Sequence, residues 1–412
     1  MMKNLWTTLP PLLSDNNGLI EVVQHTDGCA VIDDSGEFRL GGGHSHGGHG
    51  GRMGGGRRGG GDGGFGGGHG GRGGHGGHGG RGGGGGKGGA ARVAVSGASS
   101  QDVTTGTRDA VLTAFESARS RYNPNFVLLS AGPCGAMIGT DLKEIAETIT
   151  AEHGLPAAAV NLTGQKAYDF GISKTTEAMA KLLAKPADTV SGTLNILGAT
   201  GLDWSAGDVS EAFNWAAHQG WKILAQPGGT VSADQLAAMG KAQLNWVTTV
   251  SGLAAARWLQ SEFGIPYVAG SPFGIKQIGK LADQMQSPCL PDPTEPVEVD
   301  TLIIGEQFAT NALRDALEAK GFSKGADVAT FYLLDKAYAR SGDRKIKGEA
   351  DARQLLNSGK YRLIVADPIL RPLLKTDCEW IDLPHKAMNP YSECTPVSLF
   401  GSKLDNWLDT QR

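Results

Sequence analysis

The stretch from Asn123 to Ile149 constrains the fold more than any other part of the chain. Phe126 to Leu129 is a short apolar run, and small residues and a proline interrupt it just before Cys134. After Gly139, apolar residues recur at helical spacing. The stretch therefore predicts a strand, a tight loop that carries Cys134, and a helix. Open α/β sheets bind ligands at the carboxyl ends of their strands. The alternative is a buried structural thiol, because free cysteine is among the most buried residue types.

The same alternation of strands and helices continues through most of the chain. It predicts an α/β fold with three Rossmann-like, doubly wound parallel-sheet domains. We assign residues 1–190 to the first domain, 191–286 to the second, 287–299 to a proline-rich linker, and 300–412 to the third domain with a C-terminal tail. Three further cysteines lack the spacing of metal ligands and are predicted to be structural: Cys289, Cys378 and Cys394.

Residues 41–89 interrupt the first domain with a Gly/His-rich segment in which 33 of 49 residues are glycine. The segment has too little apolar surface to offset the entropy lost on ordering a glycine-rich chain. It is therefore predicted to be a disordered insertion. Its imidazoles have the chemistry to bind a borderline metal such as Ni or Zn. The alternatives are a solvated linker without metal and an RNA-binding Arg-Gly segment. The candidate ligands are His44, His46, His49, His69, His75 and His78.

Composition excludes several classes of function. No apolar run approaches the roughly 18 to 20 residues that span a bilayer, and no signal peptide is recognised, so a cytoplasmic location is expected. Residues 41–89 carry five Arg and one Lys against one Asp, so the net charge of −4 leaves −9 for the remainder, which argues against nucleic-acid binding. No G-x-G-x-x-G pattern follows the predicted strand that ends at Gly305-Glu306, so nucleotide binding is rejected there. No P-loop occurs either, so ATP hydrolysis is assigned to another protein.

The cysteine turn resembles that of nitrogenase component 1 subunits. The residues that carry the resemblance are Pro124 to Ser130, Cys134, and Ile138 to Leu142; the family reads roughly Cys, four residues, Ile-Gly-Asp-Asp-Ile. In that family the cysteine binds an iron–sulfur cluster. Here three residues separate Cys134 from Ile138, so the position of the family's cysteine falls on Pro133 and the thiol is displaced by one residue. The resemblance implies that Cys134 is a cluster ligand.

Two other segments extend the resemblance within the first domain. Gly18 to His25 is predicted to be a strand that ends at Asp27 to Ala30, and it resembles the family segment that delivers another cluster cysteine, which implies Cys29 as a second ligand. The upstream cysteine that the family usually has is absent. The segment Val160 to Gly164 resembles the third ligand loop, where Thr163 stands without a cysteine and offers a hydroxyl.

The second domain resembles a β-type subunit of the same family. Its matching segments are Gln243 to Val247, Gly264 to Pro266, and Phe273 to Ile275. Catalytic α-subunits have a cysteine just after the first of these segments that holds the active-site cofactor. Thr248 and Thr249 occupy that place here, so the resemblance favours a subunit without its own active site.

The resemblance implies that this chain is one subunit of an enzyme and that it has no activity without its partner proteins. Such a subunit pairs with an α-like subunit in an α2β2 assembly and shares an iron–sulfur cluster with it. An ATP-dependent iron protein, a homodimer, supplies electrons that pass to an active site on the partner. The favoured reaction is carbon–sulfur bond reduction, as in methylthio-alkane reductase. The alternatives are a nitrogenase or tetrapyrrole reductase subunit and a non-enzymatic scaffold or metallochaperone for cofactor assembly.

Overall fold

Three parallel sheets form the framework of the computed structural model, which describes residues 7–35, 91–288, 298–390 and 397–411. Every strand pairing in these sheets is parallel. The predicted fold class, an α/β fold with three doubly wound parallel sheets, is therefore confirmed. The insertion predicted over 41–89 lies outside the described residues, as do Cys289 and Cys394.

The first sheet contains the cysteine turn. Its strands are β1 (Cys29–Asp33), β2 (Val93–Val95), β3 (Val127–Ala131) and β4 (Ala157–Ala159), in the order β2-β1-β3-β4. Its helices are α1 (Asp15–Val23), α2 (Ser100–Thr105), α3 (Arg108–Tyr122), α4 (Pro133–Ile138), α5 (Leu142–His153) and α6 (Tyr168–Leu183). Alternate residues of β1 pack on opposite faces: Ala30 and Ile32 share a core with α1 and α6, whereas Cys29 and Val31 share one with α3 and α5.

The second sheet follows the same plan. Its strands are β5 (Val190–Leu197), β6 (Lys222–Ala225), β7 (Ala242–Val247) and β8 (Tyr267–Ala269), in the order β6-β5-β7-β8. Its helices are α7 (Ala206–His218), α8 (Ala233–Ala237), α9 (Leu253–Phe263) and α10 (Ile275–Gln286). Short 3-10 helices span Ala238–Lys241 and Val250–Gly252.

The third sheet has five strands. They are β9 (Thr301–Ile304), β10 (Ala326–Thr330), β11 (Arg344–Lys345), β12 (Leu363–Ala366) and β13 (Glu379–Asp382), in the order β11-β10-β9-β12-β13. The helices α11 (Gln307–Ala319) and α12 (Glu349–Leu356) accompany them, with 3-10 helices at Lys336–Tyr338 and Pro368–Leu373. The last helix, α13 (Ser402–Asp409), contacts α10 and α11.

One strand prediction is wrong, because Gly18 to His25 lies mostly in α1. Leu19, Val22 and Val23 are fully buried at helical spacing, and α1 packs closely along α6. A Cβ atom at Gly18 would lie 2.0 Å from the carbonyl oxygen of Tyr168, so only glycine permits this approach. Packing of α1 against α6 therefore outweighs the preference of its β-branched residues for a strand.

Both ends of the described chain contact elements that are distant in sequence. The N–H groups of Thr7, Thr8 and Leu9 donate hydrogen bonds to the carboxylate of Glu349 at the start of α12. At the other end, the N–H groups of Leu399 and Phe400 donate to Asp208 in α7. Among the helices of the described segments, none has the length and apolar character needed to cross a membrane.

Candidate functional site

Cys134 lies just beyond the carboxyl end of β3, in the first turn of α4, and is exposed. Pro133 starts α4, where the missing N–H of proline costs no helical hydrogen bond. Gly139 ends the helix at a φ of 76°, a left-handed conformation that suits glycine. Met137, one helical turn after Cys134, is 84% exposed. The predicted strand, loop and helix therefore exist, and the loop presents the thiol at the surface.

Asp34, which directly follows β1, holds the cysteine turn in place. Its Oδ1 accepts hydrogen bonds from the N–H of Cys134 at 3.3 Å and from the N–H of Ser35 at 2.8 Å. A Cβ atom at Gly132 would lie 1.9 Å from Oδ2 of Asp34, so glycine is required there. The carboxylate is only 3% exposed and lies directly against the backbone that carries the thiol.

Asp33 joins the neighbouring elements at the same edge of the sheet. Its carboxylate accepts hydrogen bonds from the hydroxyls of Ser96 at 2.9 Å and Thr107 at 2.7 Å. These residues follow β2 and precede α3, respectively. A Cβ atom at Gly135 would lie 2.1 Å from the carbonyl oxygen of Asp33. The ends of β1, β2 and β3 are thus packed together beneath α4.

Thr163 lies in the loop after β4, beside the cysteine turn. A Cβ atom at Gly164 would lie 2.4 Å from Cδ of Pro133, so the two loops touch. The N–H of Thr163 donates a 3.2 Å hydrogen bond to Oδ2 of Asp15. Burial raises the pKa of Asp15, and hydrogen bonds from Thr163 and neighbouring backbone groups partly offset this rise. The structure therefore brings the loops that carry Thr163 and Cys134 to one edge of the first sheet.

Cys29 lies at the opposite end of the first sheet. It begins β1 and pairs with Val127, whereas Asp33 at the far end of the strand pairs with Ala131. The Cys29–Val127 pair and the Asp33–Ala131 pair are four residues apart along β1, a distance of about 13 Å at a rise of about 3.3 Å per residue. The prediction that Cys29 follows a strand is wrong, because the preceding segment is helical and the strand begins at the cysteine. The structure does not bring Cys29 and Cys134 together.

The environment of Cys29 is that of a structural thiol. The residue is fully buried, and burial raises the pKa of its thiol to about 12, with Arg92 acting weakly in the opposite direction. Cys378 is partly exposed, and burial together with Asp377 and Glu379 raises its pKa.

The side chains at the carboxyl edge of the first sheet that could bind iron fit part of an iron–sulfur site and not a complete one. In the described part of the chain, no group of three His, Cys, Asp or Glu side chains is arranged to hold a metal ion. Iron–sulfur clusters are typically held by four thiolates. Cys134 can supply one of these thiolates. The six predicted histidine ligands of the Gly/His-rich segment also lie outside them.

The corresponding edge of the second sheet is filled by hydroxyl groups. Thr248 and Thr249 follow β7 and are buried. Their hydroxyls donate 3.0 Å hydrogen bonds to the carbonyl oxygens of Leu197 and Gly198, respectively. The two side chains are therefore occupied in joining β7 to the end of β5, and they offer no thiolate.

Sequence reasoning missed the carboxylates that support the cysteine turn. Asp33 and Asp34 come directly after the apolar run Ala30 to Ile32. Paired acids at the end of a buried strand were a usable signal, since such strand ends meet at one edge of a parallel sheet. Asp15 had no such signal, because it reaches the edge through α1, which the sequence did not predict as a helix.

Comparisons with known proteins agree with this architecture. A family model described as "Nitrogenase component 1 type Oxidoreductase" matches residues 87–290. "Nitrogenase iron-molybdenum cofactor biosynthesis protein NifE" of Methanosarcina barkeri is 24% identical over 193 residues, 43% of this chain and 41% of that protein. One of the subunits of light-independent protochlorophyllide reductase from Rubrivivax gelatinosus is 27% identical over 211 residues, 47% of this chain and 38% of that protein. The match thus spans about two fifths of these relatives.

A solved structure has the same fold over the whole chain. The structure described as "Nitrogenase Cp1 at pH 6.5" superposes with a TM-score of 0.65 at 12% sequence identity. The superposition covers 100% of this chain and 93% of that one. The likeness therefore extends through all three sheets.

Proposed function

Because the chain belongs to the nitrogenase component 1 type oxidoreductase family, we propose that it is a β-type subunit of a nitrogenase-like reductase. It pairs with an α-like subunit and contributes Cys134 to an iron–sulfur cluster at their interface. The observation that carries the proposal is the exposed thiol of Cys134, held at the carboxyl edge of the first sheet. A thiol at the surface can complete a site that a second chain brings.

The surroundings of Cys134 support a partner-covered surface. Met137 is 84% exposed on the same short helix, one turn after the thiol. Contact with another protein would bury this apolar side chain. A partner that covers this edge would also exclude water from a thiolate ligand.

The chemistry of the proposed site divides between the cluster and the protein. An iron–sulfur cluster supplies one-electron transfer. The chain supplies a thiolate ligand at Cys134, and Asp34 fixes that ligand through its hydrogen bond from the Cys134 N–H. Thr163 places a hydroxyl-bearing side chain in the adjoining loop. Cys29 has no part in this proposal, because it is buried at the other end of the sheet.

Family members act in α2β2 assemblies that receive electrons from an iron protein, and we extend this organisation to the present chain. The partner's active site then decides which bond is reduced. Carbon–sulfur bond reduction remains our proposal from the sequence. The similarity to a light-independent protochlorophyllide reductase supports reduction of a tetrapyrrole as the competing reaction.

A scaffold for cofactor assembly is the second candidate function. Its support is the similarity to NifE, which is named as a cofactor biosynthesis protein. In this role the chain and its partner would hold an iron–sulfur precursor and pass it on. Such a complex releases its metal centre to an acceptor protein, whereas a reductase retains it through many turnovers.

The decisive experiment is anaerobic co-purification with the α-like partner. Iron content and the electron paramagnetic resonance of the reduced complex are measured for wild type, Cys134→Ala and Cys29→Ala. We expect Cys134→Ala to lower the iron content or alter the signal, and Cys29→Ala to leave both unchanged per folded complex. Cys378→Ala is the matched control. A normal cluster in Cys134→Ala would refute the assignment.

A second measurement separates the two functions. The wild-type complex is mixed with its iron protein, ATP and a candidate substrate, and iron retention is followed during the reaction. Repeated turnover with iron retained supports the reductase. Transfer of iron to an acceptor protein without substrate turnover supports the scaffold.

A further inference from the structure

One edge of the first sheet borders a groove of about 410 Å³. The strands of this sheet have the order β2-β1-β3-β4, so β4 pairs with β3 on one side and with no described strand on the other. Residues 158–161 form one wall of the groove, and one face of α6 forms the other. The groove is therefore open along the free edge of β4.

The parallel pairing decides which main-chain groups of β4 point into the groove. The N–H of Val160 donates a 2.7 Å hydrogen bond to the carbonyl oxygen of Leu129 in β3. In a parallel ladder the main-chain groups of alternate residues face the same neighbour, so Ala158 also faces β3. The N–H and C=O of Ala159 therefore point away from the sheet. Neither group has a hydrogen-bond partner in the part of the chain that the structure describes.

The edge at β4 lacks the charged side chains that commonly protect a sheet edge from pairing. The edge strands β6, β11 and β13 contain Lys222, Lys345 and Glu379, respectively. In contrast, β4 consists of three alanines, and β2 and β8 also lack charged residues. At the start of β4, the N–H of Ala157 donates to Oγ1 of Thr150 at 3.2 Å. The open part of this edge is therefore its carboxyl-terminal half.

The wall formed by α6 suits the side chains of an added strand. Ala158, Ala178 and Leu182 make an apolar floor that packs on the core. At the rim, two lysines of α6 pair with the carboxylate of Glu177 at 2.9 and 2.6 Å. Successive side chains of a strand point to opposite faces, so every second side chain of an added strand would rest on this floor. Unpaired main-chain groups beside such a groove are the arrangement by which a sheet edge binds an extended peptide.

The groove leads to the cysteine turn. The chain continues from β4 through Val160 to the loop that contains Thr163 and Gly164, and this loop touches Pro133, the residue before Cys134. A protein that covers the exposed thiol would therefore lie next to the open end of the edge. This position favours an extended segment of that same protein as the occupant of the groove.

We propose that an extended segment of the α-like partner adds to the first sheet along β4. Its main chain exchanges hydrogen bonds with the N–H and C=O of Ala159, and its alternate apolar side chains rest on the floor of the groove. The inference rests on the proposed function for the identity of the partner, and it specifies how that partner is held. Strand addition and cluster ligation by Cys134 involve different atoms, so each can be tested without the other.

The test compares Ala159→Pro with Ala159→Ser in the full-length chain. Proline removes the outward N–H and is tolerated at edge positions of this kind, whereas serine keeps the N–H. Isothermal titration calorimetry with the α-like partner measures the dissociation constant. We expect a value about threefold to tenfold higher for Ala159→Pro, the effect of one lost backbone hydrogen bond, and the wild-type value for Ala159→Ser. Wild-type affinity in Ala159→Pro would overturn the proposal.

Hydrogen–deuterium exchange of the wild-type chain gives a second readout that does not depend on how the proline variant folds. The amide of Ala159 should exchange rapidly in the free chain and slowly in the complex, because strand addition gives it an acceptor. Mass spectrometry with fragmentation that resolves single amides measures this. Rapid exchange of the Ala159 amide in the complex would count against strand addition.

The combined outcomes separate this proposal from the cluster assignment. If Cys134→Ala lowers the iron content while Ala159→Pro binds the partner normally, the strand-addition proposal is wrong and the cluster assignment stands. If Ala159→Pro weakens binding while Cys134→Ala keeps a normal cluster, the reverse holds. Analytical ultracentrifugation of the chain alone tests the other occupant. Self-association that Ala159→Pro abolishes would identify a second copy in the groove and overturn the assignment to the α-like partner.

Discussion

The backbone N–H of Cys134 donates a 3.3 Å hydrogen bond to Oδ1 of Asp34, a residue 100 positions earlier in the chain. Asp34 follows β1 and Cys134 follows β3, and these two strands are paired neighbours. The same oxygen accepts the N–H of Ser35. One buried carboxylate thus joins two strand ends and sets the position of the exposed thiol.

Replacing Asp34 by Ala should destabilise the cysteine turn. The N–H groups of Cys134 and Ser35 lose their acceptor, and such losses cost about 1–3 kcal/mol. We expect a lower melting temperature and, in the complex with the α-like partner, less iron. Asp34→Asn keeps an acceptor oxygen and should lie between Ala and wild type. Asp188→Ala, at an exposed position in the loop after α6, is the control. An unchanged melting temperature and iron content in Asp34→Ala would show that the hydrogen bond is unimportant.

Glu306 should make the stability of the fold depend on pH. Its carboxylate is buried and accepts hydrogen bonds from the N–H groups of Val250 and Ala309, both at 2.9 Å. Burial, and then the charge of Asp203, raises its pKa from 4.5 to about 8. The folded state therefore binds a proton that the unfolded chain has released, so stability falls as pH rises from about 4.5 to about 8 and levels off above.

The variant Glu306→Gln tests this dependence. Melting temperatures of wild type and variant are compared between pH 5 and pH 9. We expect the wild type to lose stability over this range and the variant to lose less, so that their difference changes with pH and becomes constant above about 8. Glu262→Gln, at an exposed position, should keep the wild-type slope. Parallel curves for Glu306→Gln and wild type would contradict the prediction.

Glu349 should be required to hold the N-terminal segment. Three N–H groups, those of Thr7, Thr8 and Leu9, donate to its carboxylate at 2.8, 2.8 and 3.1 Å. Burial raises the pKa of Glu349, but these hydrogen bonds outweigh burial and hold the pKa below its usual value. The carboxylate therefore stabilises the fold above about pH 4.5, and this contribution is lost as pH falls toward the lowered pKa.

We expect Glu349→Ala to expose residues 7–13 to a broad-specificity protease. Each hydrogen bond to a charged group contributes up to about 3 kcal/mol. Without them, residues 7–13 should detach more often while the rest of the protein stays folded. Mass spectrometry of the early fragments measures the cleavage. Glu379→Ala removes an exposed ion pair with Arg362 and should leave the segment protected. Equal cleavage in both variants would count against the role of Glu349.

The Gly/His-rich segment yields a prediction from sequence alone. Replacing all six of its histidines by Gln keeps the length of the segment and removes its imidazoles, so binding of Ni or Zn in equilibrium dialysis should be lost. Replacing the five arginines of residues 41–89 by Gln should leave metal binding intact. Unchanged metal binding in the histidine variant would favour the solvated linker.

Local patterns predicted most of the fold because the parallel strands are short apolar runs between amphipathic helices. The run before Cys134 and the helix after Gly139 appear as β3 and α5. The segment that forms α1 was predicted to be a strand because Val22 and Val23 favour strands by themselves. Their burial against α6, which favours the helix, is a tertiary effect that the local pattern does not contain. Placement of Cys29 failed for the same reason, since an error in one element moved the cysteine from the end of a strand to its beginning.

The candidate site was predicted only in part. Cys134 could be placed at the end of a strand because it follows an apolar run, whereas Thr163 was pointed to only by the family resemblance of its segment. Their roles as ligands stay predictions. The hydrogen bond between Asp34 and Cys134 could not be predicted, because it depends on the pairing of β1 with β3 across a gap of 100 residues.

The contacts at the two ends of the chain bear on how it can be divided for expression. Residues 7–9 precede the first sheet but are held by Glu349 beside the third, and residues 399–400 follow the third sheet but are held by Asp208 beside the second. A truncation at any boundary between sheets therefore leaves at least one buried carboxylate without its donors. Fragments that each contain one sheet should be less soluble than the intact chain, and purification tags should be followed by a spacer that leaves Thr7 free to reach Glu349.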